Sequence, residues 1–124
     1  MSVQLNHTIV GASDRWASAA FLAELLGRPE PTAFGPFAVV DLDNGVSLDF
    51  QDTEGVQPRH YAFLVSEEEF DQIFGRIRAR GLPFWADPGQ RRPGEINTND
   101  GGRGVYWCDP DGHFLEIITR PYGG

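Results

Sequence analysis

Two histidines and two carboxylates recur at matching points of this chain. His7 opens the apolar run Leu5 to Val10, and His60 opens the run His60 to Val65. Asp49 follows the turn Asp43-Asn44-Gly45, and Glu116 follows the turn Asp109-Pro110-Asp111-Gly112. Each acid stands four residues beyond its turn glycine, 45 to 49 and 112 to 116. Neutral imidazole and carboxylate together suit Zn, Fe, Ni, Mn or Co, and two histidines with one carboxylate also form the facial set of non-haem iron sites. Glu116 lies between Leu115 and Ile117. A carboxylate there is costly to bury unless it is paired or bound to a cation. His7, His60 and Glu116 are therefore the expected metal ligands. Asp49 is a fourth, one methylene shorter than Glu, so that a water can replace or bridge it. Taken singly, each residue has a plainer role: a hydrogen-bonded histidine, a solvated strand-end aspartate, a glutamate facing water on an edge strand. Their joint placement favours the metal.

The elements around them repeat. Residues 3–10 read as a strand. Ser13 or Asp14 can cap the Ala- and Leu-rich helix Arg15 to Leu26, with Trp16, Ala20, Ala23 and Leu26 near helical spacing. Gly27, Pro29 and Pro31 end it. Phe37 to Leu42 and Val46 to Phe50 form a hairpin on Asp43-Asn44-Gly45, and residues 51–58 read as a polar linker. In the second half, His60 to Val65 is a strand. Ser66 and Glu69 make a capping box. Phe70, Ile73, Phe74 and Ile77 form a helical stripe ending at Gly81. Leu82 to Ala86 reads as a short strand, 87–102 as a long Gly-, Pro- and Arg-rich loop, and Gly104 to Cys108 and His113 to Thr119 as strands. The interval from His7 to Asp49 is 42 residues and from His60 to Glu116 is 56, and the excess of 14 falls in the long loop. Such a loop is more often functional than idle. The fold class is α+β. A single domain, 1–124, is expected, with internal repeats 3–50 and 59–119.

Composition bounds the partners. The chain has 124 residues, 40% hydrophobic and 12% aromatic, enough to bury a core. A formal net charge of −8 argues against nucleic acid and anionic membranes. No apolar run is long enough to span a bilayer, and the N-terminus lacks the pattern of a signal peptide. Cys108 is the only cysteine, so no intramolecular disulfide forms. A cytoplasmic protein is expected.

The run Val105-Tyr106-Trp107-Cys108-Asp109-Pro110-Asp111-Gly112-His113-Phe114-Leu115-Glu116 resembles the vicinal oxygen chelate superfamily, as do Leu5-Asn6-His7 and Arg59-His60-Tyr61-Ala62-Phe63. This superfamily includes glyoxalase I, bleomycin-resistance proteins, fosfomycin-resistance thiol transferases and extradiol dioxygenases. The resemblance implies paired β-α-β-β-β modules in a half-open, mostly antiparallel barrel around a divalent metal, in a homodimer. It implies His7, His60 and Glu116 as ligands, with Asp49 where glyoxalase I carries a glutamate. The chain has no lysine, whereas fosfomycin transferases carry a Lys- and Ser-rich loop. Its stretch before Tyr106 holds Asn97, Thr98 and Asn99 where extradiol dioxygenases place a histidine.

These readings converge on a metal-dependent, glyoxalase-like enzyme of isomerase, lyase or thiol-transfer type. Its substrate would be small and oxygen-bearing, a thiol adduct or an anion among the options. Glu116 or Asp49 would shuttle a proton, and the metal, Zn, Ni, Mn or Fe, would act as Lewis acid. Arg92 and Arg103, with Arg91, are the basic cluster that could hold an anion. Asn99, Tyr106, Trp85 and Phe50 are the other expected substrate contacts. Two alternatives stand: a bleomycin-resistance-like protein that sequesters a small molecule without turnover, and a non-haem iron dioxygenase. His113 reads as structural.

Overall fold

The computed structural model describes residues 2–121. Two compact units, Met1–Gln57 and Pro58–Gly124, divide the chain where the repeat does. In the first unit β1 (His7–Ala12) is followed by α1 (Arg15–Leu26), β2 (Thr32–Phe34), β3 (Phe37–Asp41) and β4 (Ser47–Asp52), and the sheet order is β1-β4-β3-β2. In the second, β5 (His60–Leu64) is followed by α2 (Glu67–Ala79), β6 (Gly104–Cys108) and β7 (Phe114–Ile118), in the order β5-β7-β6. In each, the strand opened by histidine runs parallel to the strand bearing the acid, and the other ladders are antiparallel. Parallel neighbours need a long crossover, and α1 or α2 forms part of it.

Alternation along the strands sorts the side chains. In the first unit Val10, Ala12, Ala38, Val40, Leu48 and Phe50 are all at most 4% exposed, and α1 covers the sheet with Ala19, Leu22, Ala23 and Leu25. Each large side chain so buried contributes about 1.5–3 kcal/mol. The buried face of α1 differs from the expected one, since Trp16 is 40% exposed and Ser18, Leu22 and Leu25 face inward. An Ala-rich helix is apolar nearly all round, so packing against the sheet chooses the face. The Asp14 carboxylate accepts from the backbone of Trp16 and Ala17, and Gly27 closes the helix at φ 71°. Gln51 and Asp52, expected in the linker, belong to β4, where Asp52 pairs with Arg15 at the start of α1. The expected first strand begins later, at His7. β2 is an additional edge strand paired to β3.

The capping box at Ser66 and Glu69 forms, and Phe70, Ile73 and Ile77 are buried. Leu82 to Ala86 does not form a strand: Trp85 alone bridges Tyr106 on one side and Pro93 on the other. The loop after it is built rather than slack. Desolvation pushes the Asp87 carboxyl up, but backbone N–H groups of Arg91 and Arg92 hold it below the usual carboxylate range. The Asn97 amide donates to Ala86 O at 2.7 Å, and its backbone pairs both ways with Gly104. A Cβ at Gly104 would lie 2.9 Å from the Asn97 amide, so any larger residue would force that side chain to shift.

Candidate metal centre

Both histidine–acid pairs have the same register. His7 lies opposite Ser47 with Asp49 two residues on, and His60 lies opposite Phe114 with Glu116 two residues on. Period two puts each acid on the sheet face its histidine shares, away from the apolar side.

In the second unit the pair meets. His60 Nε2 is 3.1 Å from Glu116 Oε1, and His60 Nδ1 is 3.0 Å from the Phe114 carbonyl oxygen. A carbonyl can only accept, so Nδ1 carries the proton. A neutral His60 then points the lone pair of Nε2 at a carboxylate oxygen. Two acceptors facing each other require a cation between or beside them, a proton or a metal ion. Donors about 2.1 Å from one ion and about 90° apart stand about 3 Å from each other, so the separation fits a shared metal. Locking the distal nitrogen on a backbone carbonyl is the usual support of a histidine ligand. Glu116 is 1% exposed, whereas the His60 side chain is 48% exposed. The acid is thus a buried floor and the imidazole its accessible edge.

Rings surround this pair. Tyr106, opposite Glu116 on β6, stacks on Phe114 at 5.2 Å and on His60 at 6.0 Å, and Trp85 lies 6.2 Å from Phe114.

In the first unit the acid is held differently. Ser47 Oγ donates to Asp49 Oδ1 at 2.8 Å, and His7 Nδ1 lies 2.7 Å from the Asn6 side-chain oxygen. His7 and Asp49 line a cavity of about 430 Å³ with Ile9, Phe34, Phe37, Val39 and Ser47. Among the described residues, no three His, Cys, Asp or Glu side chains stand together as a metal-binding group. Of the expected four, His60 and Glu116 meet in the second unit, and His7 and Asp49 line one cavity in the first.

The expected substrate contacts divide. Tyr106 and Trp85 join the His60–Glu116 pair. Phe50 is 2% exposed on the helix-covered face of β4, opposite Asp49, because neighbours on a strand alternate. Arg103 is not a free cation for an anionic substrate. Its guanidinium binds Glu67 at 2.8 Å and Asp71 at 2.9 Å on α2 and lies 4.3 Å from the centre of the Phe70 ring. Arg92 pairs with Glu95 at 3.1 Å in the exposed loop, and Asn99 is an exposed residue whose N–H donates to Asn97. Ser47 and Phe114 are site residues that sequence reasoning left out. Alternation was the available signal, since each shares the face of its neighbouring acid.

No protein-family model matches the chain. A solved structure of oxidase ChaP-H1 is 72% identical, covering 99% of this chain and 100% of its own, with a TM-score of 0.97. Oxidase ChaP-H2 is 64% identical, covering 100% of this chain and 98% of its own, also with a TM-score of 0.97. The glutathione transferase FosA of Serratia marcescens is 31% identical over 94% of this chain and 81% of its own length. With its paired modules and mixed open sheets, the chain belongs to the vicinal oxygen chelate superfamily. It is an enzyme, which sets aside sequestration without turnover, and a divalent metal is its cofactor. No helix among the described residues is long and apolar enough to cross a membrane.

Proposed function

We propose that this enzyme is a metal-dependent oxidase acting on a small planar substrate with two neighbouring oxygen atoms. The observation that carries the reading is the likeness to the two oxidases, 72% and 64% identical along essentially the whole chain. When bound, a divalent metal would supply Lewis acidity toward the substrate oxygens and, as iron, access to oxygen chemistry. His60 and Glu116 would hold it in the second unit, and His7 and Asp49 are the candidate ligands of the first.

The chain's own groups have defined tasks. The Phe114 carbonyl keeps the His60 Nε2 lone pair available. Glu116, buried, offers an anionic oxygen that water does not screen. The rings of Trp85 and Phe114, both half-buried, offer apolar faces to a flat substrate. Asp49, steadied by the Ser47 hydroxyl, would accept a proton from a substrate hydroxyl at the wall of its cavity. The volume of about 430 Å³ lies within the range of small-molecule sites, roughly 300–1,000 Å³. The homodimer implied by the family belongs to the same proposal, and its check is particle mass in solution.

A second reading is thiol transfer, favoured by the 31% identity to FosA. One experiment separates the two. The protein is reconstituted anaerobically with Fe, Mn, Ni or Zn and given catechols and related hydroxylated aromatics in an oxygen electrode, or fosfomycin with glutathione. Oxygen uptake that depends on metal and on the aromatic supports the oxidase. A glutathione adduct formed without oxygen uptake replaces it with the transferase.

A further inference from the structure

Arg59, the residue just before β5, sits beside a histidine that the metal chemistry does not use. His113 is 1% exposed, and its Nδ1 accepts the backbone N–H of Arg59 at 2.9 Å. In a parallel ladder this N–H would find the carbonyl of residue 112, because Arg59 O accepts from Phe114 N at 2.8 Å and so fixes the register. Residue 112 is Gly112, at φ 83° in the turn, and no bond from Arg59 N to its carbonyl is made. The His113 ring stands in for the missing carbonyl.

The ring is itself held. Asp109 Oδ1 accepts the backbone N–H of His113 at 2.8 Å, and the edge of Tyr61 meets the ring at 5.7 Å and 81°. Arg59 is thus clamped at both ends, its N–H on His113 and its carbonyl on Phe114. The next residue is His60, whose Nδ1 lies on the Phe114 carbonyl oxygen.

The first repeat provides a control within the same molecule. There Ser47 N donates to Asn6 O at 3.0 Å, as Phe114 N does to Arg59 O. Val46 occupies the place of His113, and its side chain has no acceptor to offer. The histidine that follows, His7, has its Nδ1 on the neighbouring Asn6 side chain instead of on the facing strand.

We propose that His113 is a positioning residue for the metal ligand His60: by clamping the Arg59 amide it seats the His60 ring on the Phe114 carbonyl and aims Nε2 at the metal. This rests on the reading of His60 and Glu116 as metal ligands. Outer-shell partners of this kind are typically worth 10- to 100-fold in metal affinity.

The test compares His113→Leu, which keeps bulk but has no acceptor, with His113→Asn, whose amide oxygen can accept from Arg59. Two readouts are taken on folded protein: Co(II) affinity with its visible spectrum, and ¹⁵N shifts of the His60 imidazole in the metal-free protein. The expected result is a loss of about 10- to 100-fold in Co(II) affinity and an altered spectrum in His113→Leu, with His113→Asn within a few-fold of the parent. His60 Nδ1 should keep its proton in the parent and in His113→Asn and share it with Nε2 in His113→Leu. A folded His113→Leu with parental affinity, spectrum and tautomer would overturn the proposal. If the parent binds no Co(II), the metal reading fails, and the tautomer comparison still decides the role of His113. If His113→Leu does not fold, rescue by His113→Asn of fold, affinity and tautomer supports the clamp, and a folded His113→Asn with a disordered His60 tautomer overturns it.

Discussion

Glu116→Gln should separate metal binding from folding. In the native chain a buried carboxylate oxygen lies 3.1 Å from the imidazole nitrogen that, in neutral His60, carries only a lone pair. Glutamine has the same length and offers an N–H to that lone pair, and its other amide atom remains an acceptor. In metal-free protein at alkaline pH the exchange replaces two facing acceptors by one hydrogen bond. A net gain of about 1 kcal/mol is expected, or roughly 4 °C in Tm for a chain of this size. The metal-bound state responds in the opposite direction, because the anionic ligand is gone. A metal at 100 times its Kd stabilises the parent by about 2.7 kcal/mol, a rise of roughly 10 °C. Glu116→Gln should show almost none of it. The assay is thermal unfolding of parent and variant, each with chelator and with saturating Zn, Mn or Co. Either of two results refutes the reasoning: equal metal-induced rises in both proteins, or a metal-free variant several degrees less stable than the metal-free parent.

Other perturbations have defined outcomes. Arg103→Ala should lower Tm by a few degrees, with ~1 kcal/mol from the lost stacking on Phe70; under the proposed function it should leave the KM for a neutral substrate unchanged, as steady-state kinetics will show. Gly104→Ala should force the Asn97 amide out of place, cost about 1–3 kcal/mol and expose 87–102 to limited proteolysis. Burial raises the Asp109 carboxyl above its ordinary value of 3.8, against the pull of the His113 backbone N–H. The folded state therefore holds that proton more tightly than the unfolded chain, and stability from this group falls as pH rises from 3.8 through the raised value. Asp109→Asn keeps the carbonyl-type acceptor for Asp111 and His113 and removes the charge. Urea unfolding should show the variant gaining on the parent at pH 7 and not at pH 3.

Much of this molecule is local and was therefore legible in one dimension. The capping box at Ser66, the stop at Gly27 and the turn at Gly45 depend on residues within a few positions of each other. So does the two-residue alternation that puts Glu116 and Asp49 on the face opposite the core. The repeat itself, His, turn glycine, acid, twice over, was visible because duplication preserves spacing. Where residues failed to declare themselves, contrast was missing or the partner was distant. α1 is too uniformly apolar to mark its buried side. Leu82 to Ala86 has strand composition, but within it β-bridges form at Trp85 alone.

By itself, then, the amino-acid order determined the two modules, their helices and turns, and the four residues proposed to hold a metal. Tertiary structure alone decided which of those residues meet. His60 and Glu116 are 56 positions apart and touch because the β5–β7 register brings them together. Asp49 turns to Ser47, and Arg103 is taken by Glu67 and Asp71. Side-chain chemistry is written residue by residue, but a contact is a property of two backbones in register, and that register is set by packing over the whole sheet.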